Sequence, residues 1–377
     1  MVRLHGNHYR GRARSRRLAG GVCFLALGVF HQYPACSRGY SHFALAYPRS
    51  RSGAEGRVDW LGALVITLGL GSLVYGLIES ENMGWEHPLV LASLIVGCGC
   101  LILFPLVEAS VTSPMVPLAL FASSSFSGTN LLTLLLYAAI GVFFFLFPLN
   151  LIQVQGYSAT AAGAAVLPMI VLISILSNWA GGLVTHYGPR IPLIVGPLVG
   201  ALGFVLFAIP TVGGSYWTSF FPAVIALGLG MAITIAPLTT VVINSVGQDR
   251  VGAASGINNA IARVAGVLAI AVVGIVMVNA FGSRLNHGLV HLLLPSGVLE
   301  TVQSGEIMLA GLPVPDDLSP ATKAAIKELI ADAFVFGFRI VMLICAGLSV
   351  VSSAVAWVMV PNGALDTREI QLLHFTE

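Results

Sequence analysis

Eight long apolar stretches, nearly free of charge, fill the chain from Trp60 to Val360. A run of about 18 or more apolar residues is long enough to cross a bilayer as a helix. Only 9% of the residues are charged and the mean hydropathy is +0.90. A water-exposed surface on a chain of this length needs far more charge than that. Backbone groups in lipid must satisfy their own hydrogen bonds, so the spans are helices or barrel strands. Barrel strands alternate apolar and polar residues with a period of two. These runs are continuously apolar and about twice a strand's length. The expected fold is an all-α polytopic membrane protein.

The spans read as 60–79, 88–107, 126–151, 161–184, 191–211, 217–244, 255–281 and 334–360. Pro168, Pro197, Pro222 and Pro237 fall in or at the edges of these runs and are expected to bend their helices. A long connection, 282–332, separates the last two spans. Within it, Ser319–Pro320 is a helix start, with Ser as N-cap and Pro in the first turn. That helix is expected to run straight into the last span. Lys and Arg favour the cytoplasmic side of short loops. Placing Trp60 on that side collects Arg57, Arg190, Arg250 and Arg368 on one face; opposite lie Glu79, Glu81 and Glu86, then the long connection with Arg284, Lys323 and Lys327, a counter-signal that weighs little because long loops obey the rule poorly. The C-terminus is then cytoplasmic, the location a cell membrane, and the connection 282–333 extracytoplasmic.

Several function classes are excluded by what is missing. There is no nucleotide-binding loop, phosphate cradle or nucleophile motif, and nothing that reads as a nucleic-acid partner. Cys98 and Cys100 sit in an apolar run without a His or acidic neighbour and read as small core residues. His287 and His291 have a zinc-like spacing but no third ligand. No metal and no cofactor is expected. An intramembrane enzyme would need His, Asp or Ser clustered at one depth, and none is visible. The chain is expected not to be an enzyme.

Residues 1–57 read differently. Arg10, Arg12, Arg14, Arg16 and Arg17 precede a short apolar run, Leu18–Phe30. Three readings stand: a basic tail with a short hydrophobic segment, a signal peptide, or a segment translated out of frame. Back-translating 11–48 with permitted codons and shifting by one nucleotide gives a Gly-Pro turn, an aromatic belt and a membrane span.

The polar residues inside the spans are the candidate functional groups. In 126–151, Asn130, Thr133 and Tyr137 recur at i, i+3 and i+7, with Gln153 beyond the end. Such a stripe either lines a cavity for an amphipathic molecule or binds neighbouring helices by hydrogen bonds. In 255–281, Asn259 and Arg263 share a stripe with Gly252, Gly256, Gly266 and Gly274. Small residues permit close helix packing, so the stripe reads as a packing seam or a substrate contact. A guanidinium two or three turns inside a span costs at least about 2.5–3.5 kcal/mol. Arg263 is therefore expected to face protein or a wet cavity, bonded to carbonyls or Asn side chains. Arg339, near the start of the last span, is expected to snorkel outward.

Four blocks carry a family likeness: VDWLGALVITLGLGSLVYGLIE, NLLTLLLYAAIGVFFFLFPLNLIQVQGYSATAAGAAVLP, GGLVTHYGPR and GQDRVGAASGINNAIARVAGVLAIAVVG. Their order and spacing resemble the EmrB/QacA-like drug:proton antiporters, the fourteen-helix branch of the major facilitator superfamily. The likeness implies that 58–110 are two accessory helices, that 111–360 are the C-terminal six-helix bundle, and that 361–377 are a tail. It implies that the four helices opening the family's fold are absent, together with the N-terminal half's acidic coupling residue. It also implies export of small amphipathic molecules in exchange for protons. The partners implied are the lipid bilayer, such a molecule, a proton and an N-terminal half-transporter; the alternative is an inactive fragment. GGLVTHYGPR resembles a degenerate copy of the superfamily loop Gly-x-x-x-Asp-Arg-x-Gly-Arg. Gly182 and Gly188 suit a tight turn there, and Arg190 can bind helix-end carbonyls or a carboxylate. His186 and Thr185 stand where the usual acid belongs, so the loop reads either as a cytoplasmic gate acting through Arg190 or as a simple topology anchor.

Overall fold

A computed structural model describes residues 59–111, 114–248, 250–290, 302, 305–314 and 318–361. Eight helices long and apolar enough to cross a membrane make up this region. They are α1 (Trp60–Met83), α2 (Pro88–Ser110), α3 (Ser124–Leu149), α4 (Leu167–Tyr187), α5 (Arg190–Phe207), α6 (Phe221–Asn244), α7 (Val251–Leu289) and α8 (Pro320–Met359). No strand occurs among the described residues. The chain is a multi-pass, all-α membrane protein.

Each run ends where local chemistry stops it. Asp59 caps α1, its Oδ1 accepting from the Gly62 amide at 2.8 Å. Ser319 caps α8, accepting from the Thr322 amide at 3.2 Å, with Pro320 in the first turn. The helix start at Ser319–Pro320 and its continuation into the last span are thus as expected. Pro168 and Pro222 lie in the first turns of α4 and α6 and open those helices rather than bending them. Pro197 and Pro237 do lie inside α5 and α6. The fourth span is broken: a short helix, Ala159–Ala164, precedes α4.

α3 and α8 share an end of the bundle, where the Ser124 hydroxyl bonds the Met359 carbonyl at 3.1 Å. This is also the end of Gly188 and Arg190, and it is called the Arg190 end below. The opposite, Arg339 end carries the π-helical turn Asn150–Val154 that closes α3.

α3 packs between α7 and α8, α8 between α3 and α5, and α6 between α5 and α4. The core between them is aliphatic and aromatic. Phe143, Phe147, Phe204 and Phe207 are fully buried. Ring centroids lie 5.1 Å apart for Phe143–Phe147, 4.9 Å for Phe143–Phe207 and 5.0 Å for Phe147–Phe207. Such clusters join α3 to α5 through large buried area and favourable ring geometry. α1 and α2 form a separate hairpin that touches the bundle chiefly through α7.

The outward faces are apolar: Ile95 and Ile102 on α2 are each 71% exposed. In a chain of this kind these are lipid-facing side chains, not a failed core. Cys98 belongs to that surface and Cys100 is half-buried, which corrects their reading as core residues; Cys345 is buried. α2 is apolar all round, so its composition does not separate a lipid face from a packed one.

α7 has 39 residues and α8 has 40, each about 60 Å long against a hydrocarbon core of about 30 Å. Both overshoot at the Arg339 end. There Arg284 Nη2 bonds Asp332 Oδ2 at 3.0 Å, and Asn286 Nδ2 donates to Glu306 Oε1 at 2.7 Å. Much of the connection expected over 282–333 is therefore helix. His291 lies outside the described residues.

Candidate functional site

The polar groups inside the spans separate into two layers on α3 and α7. The inner layer is buried. Asn130 Nδ2 donates to the Phe126 carbonyl at 2.9 Å and Thr133 Oγ1 to the Thr129 carbonyl at 2.8 Å. Both side chains then accept from one residue of α7: Asn258 Nδ2 lies 3.1 Å from Asn130 Oδ1 and 2.7 Å from Thr133 Oγ1. These bonds join α3 to α7 in an apolar surround. About two turns further, α3 and α7 nearly touch: a Cβ on Gly141 would stand 2.5 Å from the Gly266 Cα. Tyr137 is half-buried against the main core beside this crossing.

The outer layer is open. Asn259 is exposed, and its Nδ2 donates back to the Ser255 carbonyl of its own helix at 3.0 Å. Arg263, one turn on, is exposed and has no hydrogen-bond or ion-pair partner among the described residues. The expectation that Arg263 bonds to carbonyls or Asn side chains is not met: Asn259 is already satisfied by its helix, and no other element covers this face. The same geometry corrects the packing seam. A Cβ on Gly252, Gly256 or Gly274 would meet nothing within 4 Å, and only Gly266 approaches a neighbour. The real seam of α7 runs through Ala254, Ile257 and Ala265, one position round the helix.

Gln153 sits in the π-helical turn, its Oε1 buried without a hydrogen-bond partner. Gln155 clamps the connection after α5, donating to the Thr211 carbonyl at 3.1 Å and accepting from the Gly213 amide at 2.9 Å. Arg339 does not snorkel. Its Nη2 donates to the carbonyls of Ile209 and Pro210, at 3.2 and 3.3 Å, just past the C-terminus of α5. Two cavities lie away from the polar layers of α3 and α7. One of about 510 Å³ is lined by Leu206–Pro222 residues at the Arg339 end, and one of about 450 Å³ by Glu108 and Arg250 among others. Asn130, Thr133, Tyr137, Asn259 and Arg263 line neither of them. The site is thus a helix face backed by a buried hydrogen-bonded knot, not an enclosed pocket.

The sequence model of the Major Facilitator Superfamily matches residues 37–270. The chain belongs to the major facilitator superfamily. Curated relatives point the same way. The tetracenomycin C resistance and export protein of Streptomyces glaucescens is 28% identical over 79% of this chain and 56% of its own length. The cephamycin export protein CmcT of Amycolatopsis lactamdurans is 32% identical over 60% of this chain and 47% of its own. The multidrug resistance protein Stp of Mycobacterium tuberculosis is 30% identical over 59% and 41% respectively. The chain thus spans about half the length of the curated relatives it matches. A crystal structure of a bacterial homolog to the human lysosomal transporter Spinster, in an inward-facing and occupied conformation, shares the fold. It matches at 16% identity with a TM-score of 0.50, over 79% of this chain and 67% of that one.

Within this superfamily frame the loop between α4 and α5 takes a definite form. Gly188 adopts φ 73° and ψ 169°, a conformation open essentially to glycine alone. Gly182 is helical inside α4 and makes no turn, because α4 continues to Tyr187. His186 is exposed, its Nδ1 3.2 Å from the Gly182 carbonyl. Arg190 Nη2 donates to the Trp357 carbonyl near the end of α8, and its guanidinium lies 5.4 Å from the Trp357 ring centroid. Arg190 thus binds a helix-end carbonyl and an indole face, not a carboxylate, and ties α5 to α8.

Proposed function

We propose that this chain forms the C-terminal part of an EmrB/QacA-like, fourteen-helix exporter of small amphipathic molecules, driven by exchange with protons. One observation carries the reading: α7 presents Asn259 and Arg263 on a face that no described element covers. Arg263 lies twelve residues into α7, about 18 Å along the helix and so near the middle of the hydrocarbon core. A guanidinium at that depth needs protein or water around it. An N-terminal six-helix half, on the same or a separate polypeptide, supplies that surround. Transporters of this kind bind substrate at the midplane between two such halves. The names of the export and resistance relatives favour a drug-like substrate.

The domain reading follows the same line. α1 and α2 are accessory helices, α3 to α8 are the transporting half, and the Arg190 end is cytoplasmic. Among the described residues no carboxylate lies at the middle of a span. The coupling acid is accordingly assigned to the N-terminal half.

Drug susceptibility in a pump-deficient bacterial host tests this. The chain alone is expected to give no resistance. Co-expression with the N-terminal half of an exporter relative is expected to give resistance that collapses with the proton gradient and is lost in Arg263→Ala. Resistance from the chain alone, or a paired Arg263→Ala as active as its parent, would overturn the reading; failure of all pairings would favour an inactive product.

A further inference from the structure

The hairpin of α1 and α2 holds two acidic side chains in a place where neither is solvated. Asp59, the N-cap of α1, is 7% exposed and Glu108, in the last turn of α2, is 2% exposed. Each has one oxygen in use. Asp59 Oδ1 accepts from the Gly62 amide at 2.8 Å, and Glu108 Oε2 from the Val116 amide at 3.2 Å. The other two oxygens, Asp59 Oδ2 and Glu108 Oε1, are buried and have no hydrogen-bond partner. They converge on one spot. A Cβ on Gly62 would stand 2.5 Å from Asp59 Oδ2 and 2.8 Å from Glu108 Oε1.

Two ionised carboxylates placed this way would repel each other, and each would bury an unsatisfied negative oxygen. A single proton removes both costs. It converts one oxygen into an O–H donor facing the other carboxylate, and leaves the pair with one negative charge. We infer that Asp59 and Glu108 form a proton-binding site, sharing one proton and locking the start of α1 to the end of α2 and the connection at Val116. The surroundings fit one negative charge rather than two. Arg250, the N-cap residue of α7, lines the same cavity of about 450 Å³ as Glu108. α7 also packs on α1, but Arg263 lies more than three turns further along, on the face that no described element covers. The 3₁₀ turn Leu118–Ala122, which packs on α2, carries no titratable group. This site is separate from the α7 face and does not depend on the transport reading.

Infrared difference spectroscopy of the full chain in liposomes reads the proton directly. A protonated-carboxyl C=O stretch is expected at neutral pH and is lost on alkalinisation. Asp59→Asn and Glu108→Gln should each abolish it while keeping wild-type helicity and elution volume, since either amide can donate where the proton did and Asn remains a good N-cap. Between neutral pH and the ordinary tyrosine range, thermal stability should fall in the wild type and stay flat in Glu108→Gln. Absence of the stretch at neutral pH, or its persistence in both variants, would overturn the inference. So would stabilisation by added Na⁺ or K⁺ that Glu108→Gln abolishes without any such stretch, because the pair would then hold a cation instead.

Discussion

Asn258 holds two side chains of α3 with a single amide group, 2.7 Å from Thr133 and 3.1 Å from Asn130. Replacing it with Leu leaves the Asn130 carbonyl oxygen buried without its partner. Interhelical hydrogen bonds in membranes contribute about 0.6 kcal/mol on average and up to about 1.7. Asn258→Leu is therefore expected to destabilise by about 1–2 kcal/mol, and Asn130→Ala in the same background to add less than it does alone. Thermal unfolding in detergent measures both terms. The neighbouring Asn259, which bonds only its own helix, should tolerate Ala with little loss of stability. Asn258 was reachable from the sequence, because it falls on the Ala254–Ile257–Ile261 stripe that packs inward. Stripe counting alone favours Asn259, whose companions Gly252, Gly256 and Gly274 face open space.

Tyr216 is a second case in which one atom matters. Its hydroxyl donates to the Ala165 carbonyl at 2.6 Å, tying the turn before α6 to the break before α4. Burial, and then the neighbouring Tyr157, push its phenol above the ordinary tyrosine value of 10.0. A phenol that keeps its proton longer in the folded than in the unfolded chain stabilises fully below the unfolded value. That contribution is lost as pH rises through the folded value. Alkaline melting curves should therefore show a loss of stability that Tyr216→Phe removes, at the expense of a lower baseline from the missing bond.

At the scale of elements, the spans were legible because the signal is long and strong. Runs of 18 to 40 residues outvote any local propensity, and capping chemistry placed Ser319–Pro320 correctly. Interruptions were not legible. Pro148 precedes the π-helical turn and Pro168 follows the break at Ala165–Val166, but Pro197 and Pro237 lie inside continuous helices, so proline alone does not mark an interruption. Nor does an apolar run tell which face meets lipid. The cluster of Phe143, Phe147, Phe204 and Phe207 arises from two runs far apart in sequence. Phe207 is fully buried, so Phe207→Ala should cost about 3–5 kcal/mol, seen as a large drop in melting temperature. Gly188→Ala imposes a Cβ on a backbone at φ 73° and ψ 169°, a strain of about 1–3 kcal/mol. It should loosen the Arg190 contact to Trp357 and raise protease sensitivity between α4 and α5.

For the whole molecule, the decisive asymmetry is between the two sides of α7. One side is committed: Ala254, Ile257 and Ala265 are buried, Asn258 is bonded to α3, and Gly266 lies against Gly141. The other side, through Gly252, Gly256, Asn259 and Arg263, has no described neighbour, though it sits at membrane depth and carries a charge. A lipid contact would suit the glycines but not the guanidinium. A water-filled seam against a second half suits both, since glycines leave room for a moving helix and the arginine stays wet. Single cysteines at 256, 259 and 263, in a background with the native cysteines replaced by serine, separate these cases. A membrane-impermeant maleimide should label all three in the chain alone and leave cysteines at 254 and 257 unlabelled. Pairing with an N-terminal half should then protect 256 and 259, with protection varying as substrate or a proton gradient is added. Lipid burial predicts the reverse: poor labelling by a charged reagent at every one of these positions, whether or not a second half is present.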